Sequence, residues 1–246
     1  MTVDAHAHAS SFPGYVQGEI GIGDLVSAWD ESGVELGLIS ELDSHDPTSG
    51  NDRTSAKCDR YPGRVFGSIY LNPNDVEGAV AELDRRAGDE RFRGVKLHPT
   101  MDAFYPFLER YFPVYARIEE LGLPILWHTG TSPYSSPLQI AVPAARFPGV
   151  PFILGHFALA DLSWECFPAA EMSDNIYVET SGNPIVPLMN EWLDRFGPER
   201  MLWGSDFPFY QVRYELEKIE RLAVGDAAKG LIRDGNARRI HKLDAS

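Results

Sequence analysis

The stretch "DAHAH" places His6 and His8 one residue apart at the start of a chain that holds only seven histidines. The pair reads either as polar N-terminal sequence or as half of a metal site on a first strand. In a strand, residues two apart point to the same face, so both imidazoles would project together. Neutral imidazoles are poor core filler and good ligands for zinc or a similar divalent ion. Three more histidines, His98, His128 and His156, each follow an apolar run ("GVKLHP", "ILWHTG", "FILGHF"), and Asp206 follows another ("LWGSDFPF"). His6, His8, His128 and Asp206 supply three nitrogens and one oxygen. That set can hold one divalent cation and leave a position open to water or substrate.

Each residue alone has a duller reading. A single His-x-His is a weak signal, a strand-end histidine is commonly a hydrogen-bonded loop residue, and Asp206 would serve as a cap. The elements that carry them change the weighing. Eight apolar, β-branched runs ("TVDAHAH", "VELGLIS", "VFGSIYLN", "RGVKLHP", "PILWHTG", "PFILGHF", "NIYVETSG", "RMLWGSD") alternate along the chain with amphipathic helical stretches such as "GDLVSAWDESG" and "PLMNEWLDRFG". This alternation predicts a parallel sheet covered by helices. Eight units in 246 residues fit a single-domain α/β fold, the (β/α)8 TIM barrel, spanning residues 1–246. The competing open doubly wound sheet lacks its Gly-rich phosphate turn after strand one. In a barrel, catalysis sits at the C-terminal strand ends, where five of the seven histidines fall.

Composition narrows the partners. A net charge of −14 argues against nucleic acid or an anionic membrane surface, leaving a small-molecule substrate. Two cysteines, Cys58 and Cys166, make no disulfide framework. No apolar run reaches membrane-spanning length, and the chemistry begins too early for a secretory signal, so a cytoplasmic location is expected.

Taken together, "DAHAH", "GVKLHP", "ILWHTG", "FILGHF" and "LWGSDFPF" resemble the amidohydrolase superfamily. The branch they resemble is the amidohydrolase-related group that includes aminocarboxymuconate-semialdehyde decarboxylase and dicarboxylate lactone hydrolases. The likeness continues to the tail "DGNARRIHKL", where Gly235-Asn236-Ala237-Arg238 matches that group's closing helix. The resemblance implies that His6 and His8 are the strand-one ligands, His128 the strand-five ligand and Asp206 the strand-eight ligand. It implies that His156 polarises substrate or helps activate water, and that barrels of this kind often pair as homodimers. Members with two metals carry a bridging carboxylated lysine at the end of strand four. Here Lys96 lies two residues deeper and His98 holds the rim, which favours one ion, Zn2+ first with Mn2+ or another divalent metal as alternatives.

The leading expectation is hydrolysis of a small ester, lactone or amide by a metal-activated water, with Asp206 taking the proton and His156 stabilising developing charge. The alternative is non-oxidative decarboxylation of an aromatic or dienoic acid on the same ligands, with Arg53 and Arg213 as candidate carboxylate clamps. A non-catalytic metal-binding barrel is a third reading. Phe104, Tyr105, Tyr134 and Phe209 in rim loops would line a pocket for a flat substrate, with His98 and Lys96 as its polar contacts. Trp127 and Trp203 are read as barrel-to-helix packing. The polar segment "ELDSHDPTSGNDRTSAK", which contains His45, is read as a long loop walling the pocket.

Overall fold

In a computed structural model, which describes residues 1–10, 12, 15–16 and 18–243, the eight runs form eight strands: β1 (Val3–Ala7), β2 (Leu36–Ile39), β3 (Val65–Tyr70), β4 (Phe92–Leu97), β5 (Ile125–Trp127), β6 (Phe152–Leu154), β7 (Ile176–Glu179) and β8 (Met201–Leu202). They pair in sequence order, each parallel to the next. The seam is drawn together by backbone bonds from Ala5 N to Trp203 O (3.2 Å), Asp206 N to His6 O (2.7 Å) and His8 N to Phe207 O (2.7 Å). The result is the expected (β/α)8 barrel, with α1 (Ile22–Ser32), α3 (Val76–Arg86), α4 (Pro99–Asp102), α5 (Phe112–Leu121), α6 (Pro137–Arg146), α7 (Cys166–Met172), α8 (Val186–Phe196), α9 (Val212–Glu220) and α10 (Asp226–Gly230) among its helices. No described helix is long and apolar enough to cross a membrane.

The segment after β2 corrects the sequence reading. Residues Pro47–Arg60 form helix α2, not a loop. Its sequence is too polar for apolar periodicity to reveal it. Its start is nevertheless specified: Asp46 caps Ser49 N, and Pro47 occupies the first turn, where its missing N–H costs nothing. Its inner face buries Asn51, Thr54, Ser55 and Cys58, and Asn51 hydrogen-bonds the backbone of Tyr70 on β3.

Two apolar layers position the site. Inward side chains Val3, Ala5, Leu36, Leu38, Leu126, Ile153 and Leu202 fill the lower barrel, closed from below by Ala237, Ile240 and Leu243 near the C-terminus. The outer layer packs strands on helices and includes Trp29, Trp127, Trp192 and Trp203, so Trp127 and Trp203 lie where alternation places them. Upper inward positions are left for polar side chains.

A register shift decides what β1 presents. Val3 and Asp4 pair with Leu36 and Gly37, yet Ala7 pairs with Ile39, so β1 carries one extra residue. Strict alternation from the inward Val3 and Ala5 would turn His6 and His8 toward the helices. The bulge reverses the parity, as bulges do: Ala7 joins the outer core and both imidazoles face the interior. Asp4 faces outward, accepting from Trp29 Nε1 (2.9 Å) and Ser205 Oγ (2.6 Å), and so ties β1 to α1 and to the segment after β8.

Candidate active site

A cavity of about 500 Å³ opens at the C-terminal end of the strands. His6, His8, Lys96, His98, His128, His156 and Asp206 all line it, as do Phe209 and the side chains of Phe12, Leu42, Met101, Leu159 and Tyr210. The candidate metal ligands His6, His8, His128 and Asp206 therefore meet His156, Lys96 and His98 in one place.

The donors form a connected set. Asp206 Oδ1 lies 3.4 Å from His6 Nε2 and 3.3 Å from His8 Nε2, and Oδ2 lies 3.9 Å from His156 Nδ1. His128 Nδ1 lies 3.1 Å from His156 Nε2. Ligand atoms of His6, His156 and Asp206 all fall within 4.8 Å of one another. His8 joins that trio through Asp206, and His128 joins it through His156.

The outer partners test whether a cation fits. His8 Nδ1 lies 2.9 Å from the Ser40 carbonyl, which only accepts, so Nδ1 carries the proton and Nε2 presents a lone pair. His6 Nδ1 lies 2.9 Å from Glu179 Oε2 with the same consequence. Two imidazole lone pairs thus converge on one carboxylate oxygen beside the Lys96 ammonium, which lies 2.9 Å from His6 Nε2, so the cluster is built to hold positive charge. Histidines braced at one nitrogen by a carbonyl or carboxylate are also the usual form of metal ligands. The donor set fits a divalent ion.

Burial sets the protonation. His6, His98, His128 and His156 are all held well below the ordinary histidine value, first by loss of solvent and then by the like charge that Lys96 and the other histidines of the cluster would set against a protonated ring. They are neutral imidazoles. Lys96, 1% exposed, is lowered to about 8 by burial, with Asp206 and Glu179 opposing the shift. Its Nζ lies 2.9 Å from His6 Nε2, and it is the one lysine or arginine among the described cavity residues.

Backbone geometry is strained where the chemistry lies. Asp206 has φ of 50°, and His156 begins a run of four left-handed residues through Leu159, with φ between 44° and 63°. Non-glycine residues adopt such angles at a cost that functional sites commonly bear. Gly155 precedes the run because a Cβ there would meet the Trp127 carbonyl at 2.6 Å.

Several expected pocket residues are placed elsewhere. Phe104 is buried on the outer side against Tyr111 (5.2 Å between rings) and Trp127 (6.3 Å), because Ala103 turns the chain through a left-handed conformation before it. Tyr105 and Tyr134 pack on each other (4.8 Å) outside the cavity-lining set. Phe209 does line the cavity, in contact with Phe12 (4.6 Å). Neither arginine is available as a clamp: Arg53 pairs with Asp43 (2.7 Å), and Arg213 is 75% exposed beside Glu217. His98 stacks on His128 (3.8 Å, 11°), and its Nδ1 accepts from Met101 N (3.1 Å). His45 lines a separate cavity between the β2 and β3 loops.

Sequence reasoning passed over Glu179 and Ser181. Glu179 ends β7 two residues after the inward Tyr177, so alternation would have aimed it into the barrel.

A family profile described as amidohydrolase matches residues 41–243. Among curated proteins, a gamma-resorcylate decarboxylase from Rhodococcus jostii is 24% identical, with 79% of this chain and 75% of that protein aligned. Among solved structures, a dihydroxybenzoic acid decarboxylase from Polaromonas sp., with bound manganese and the inhibitor 2-nitroresorcinol, superposes with a TM-score of 0.78 at 18% identity over 100% of this chain and 98% of that one. A 5-carboxyvanillate decarboxylase from Novosphingobium aromaticivorans, complexed with manganese and a nitrobenzoic acid, gives 0.80 at 15% identity over 98% and 96%. These relatives overturn the expectation of hydrolysis: they are decarboxylases. The ligand geometry serves either reaction, so the motifs could not separate them.

Proposed function

We propose that this chain, which belongs to the amidohydrolase family, catalyses metal-dependent, non-oxidative decarboxylation of a single-ring aromatic acid bearing a hydroxyl beside its carboxylate. The observation that carries the reading is the convergence of His6, His8 and Asp206 within 3.4 Å in an aromatic-walled cavity. The choice of reaction and ring substituents is supported by the decarboxylase relatives. Such a cavity volume lies in the range of small-molecule sites.

His6, His8, His128 and Asp206 would hold the ion. Manganese is favoured by the relatives, and zinc suits the imidazole-rich donors. When bound, the ion supplies Lewis-acid charge for the substrate's oxygens. Lys96 adds the protein's own positive charge at the cavity floor and anchors the carboxylate. Phe209, Phe12 and Leu42 bound the ring and exclude water, which favours release of neutral carbon dioxide from a charged reactant.

Decarboxylation breaks the bond between ring and carboxylate, leaves the electron pair on the ring carbon, and needs one proton there. Asp206, a carboxylate at rest, takes that proton from the substrate's ring hydroxyl and passes it to the ring carbon; the oxygen left behind is reprotonated from solvent by way of His156, 3.9 Å from Asp206. The test is direct: chelated protein is resupplied with manganese or zinc and offered a panel of hydroxybenzoates. Metal-dependent release of carbon dioxide and of the matching phenol is expected from at least one member. A metal-loaded protein that converts none of them overturns the reading.

A further inference from the structure

We propose that Glu179 fixes the proton arrangement of the histidine cluster, acting directly on His6 and through Ser181 on His156 and His128. Glu179 is completely buried. Its Oε2 receives His6 Nδ1 (2.9 Å), the His156 backbone N–H (3.2 Å) and the Ser181 hydroxyl (2.8 Å), while Oε1 receives the Ser181 backbone N–H. Surrounded by donors, it acts only as an acceptor.

The consequences propagate in one direction. A serine hydroxyl has one proton. Ser181 gives it to Glu179, so at 3.1 Å from His156 Nδ1 its oxygen must accept, and His156 carries its proton on Nδ1. His156 Nε2 is then a lone pair, and the 3.1 Å contact with His128 Nδ1 requires His128 to donate. His128 Nε2 is left bare and takes the Thr131 hydroxyl at 3.2 Å. The assignment at His6 has an independent check. Lys96 has only protons to give, and it lies 2.9 Å from His6 Nε2, which must therefore be the acceptor.

Space is reserved for this carboxylate. A Cβ on Gly204 would come within 2.8 Å of Glu179 Oε1. The wiring also revises the expectation for His156: in its neutral form it offers an acceptor at Nε2 and not a donor. Glu179 and Ser181 are positioning residues, since neither is among the residues that line the cavity.

The test reads tautomers in the full chain, stripped of metal and labelled with 15N-histidine, by long-range proton–nitrogen NMR. Wild type should hold His6 and His156 in the Nδ1–H form. Glu179→Gln should convert a major fraction of His156 to Nε2–H, whereas His6, whose Nε2 also faces the Lys96 ammonium, should convert only when Lys96→Met accompanies it. Ser181→Ala should convert His156, and Ser181→Thr, which keeps the hydroxyl, should restore the wild-type pattern. His156 found as Nε2–H in wild type, or a Glu179→Gln spectrum with the His156 tautomer unchanged, would each overturn the proposal. If Glu179→Gln does not fold, wild type and Ser181→Ala decide it.

The kinetic arm rests on the decarboxylase reading. Turnover should fall about tenfold to a hundredfold in Ser181→Ala and recover in Ser181→Thr, and unchanged turnover with His156 converted would overturn the positioning role. An inactive wild type counts against the decarboxylase reading alone, because the tautomers are observed without substrate.

Discussion

Gly204 lies so close to His6 that a Cβ at position 204 would meet the His6 Cβ at 2.7 Å. Glycine here leaves the imidazole its place between Glu179 and Asp206. Gly204→Ala should therefore displace His6, weakening metal binding by about tenfold or more and lowering stability by about 1–3 kcal/mol through overpacking. Metal titration and thermal melts measure the two effects. Wild-type metal affinity in this variant would mean that the position of His6 does not govern the metal site.

His128 and His156 touch each other, yet the proposed function gives them different tasks. His128→Ala should lose stoichiometric metal. His156→Ala should retain one equivalent while turnover falls about a hundredfold or more. Elemental analysis beside kinetics separates the two outcomes. Because His156 stands as near His6 and Asp206 as a ligand would, metal loss in His156→Ala would transfer it to the ligand set.

The charge anchor is equally open to test. Lys96→Met should weaken binding of an unreactive aromatic carboxylate by about tenfold to a hundredfold, the usual worth of a hydrogen bond to a charged group. Arg53→Ala and Arg213→Ala remove exposed ion pairs and should leave affinity within about twofold. Calorimetric titration with the same carboxylate compares all three. A reversed ranking would return the clamp to the loops.

What the sequence disclosed, and what it hid, follows from the range of the interactions involved. Strand order and the meeting of His6, His128, His156 and Asp206 were legible because apolar runs repeat and each bears its polar residue at the same end. Helix α2 was not, since its buried face is built of Asn51, Thr54 and Ser55 and carries almost no apolar signal. The β1 bulge was hidden as well: parity depends on pairing with β2, and plain alternation reached the right orientation for His6 and His8 without the reversal that produces it. Phe104 and Phe209 are both rim-loop phenylalanines by sequence, and only the left-handed turn at Ala103 sends the first into the outer core. The reaction itself was illegible because an open metal position and a proton carrier suit either chemistry.

Far from the cavity, His241 ends helix α11 (Asn236–His241) beneath the barrel and couples stability to pH. It is 2% exposed, its Nδ1 lies 2.9 Å from the Arg93 carbonyl, and its Nε2 is buried with no hydrogen-bond partner among the described residues. Burial lowers its pKa from 6.5 to about 4, with the Arg93 carbonyl opposing. The unfolded chain therefore binds a proton between pH 6.5 and 4 that the folded chain refuses. The stability tied to neutral His241 is complete above pH 6.5 and is lost as pH falls through about 4, up to roughly 3 kcal/mol. His241→Asn keeps a donor for Arg93 and cannot titrate. Urea unfolding at pH 7 and pH 4 should show wild type losing more stability than the variant, by up to that amount, with neutral-pH turnover equal in both. The paired comparison cancels other buried groups such as Asp4, whose rise to about 7 through burial acts in the opposite sense. Equal losses in the two proteins would remove His241 as the acid-sensitive group.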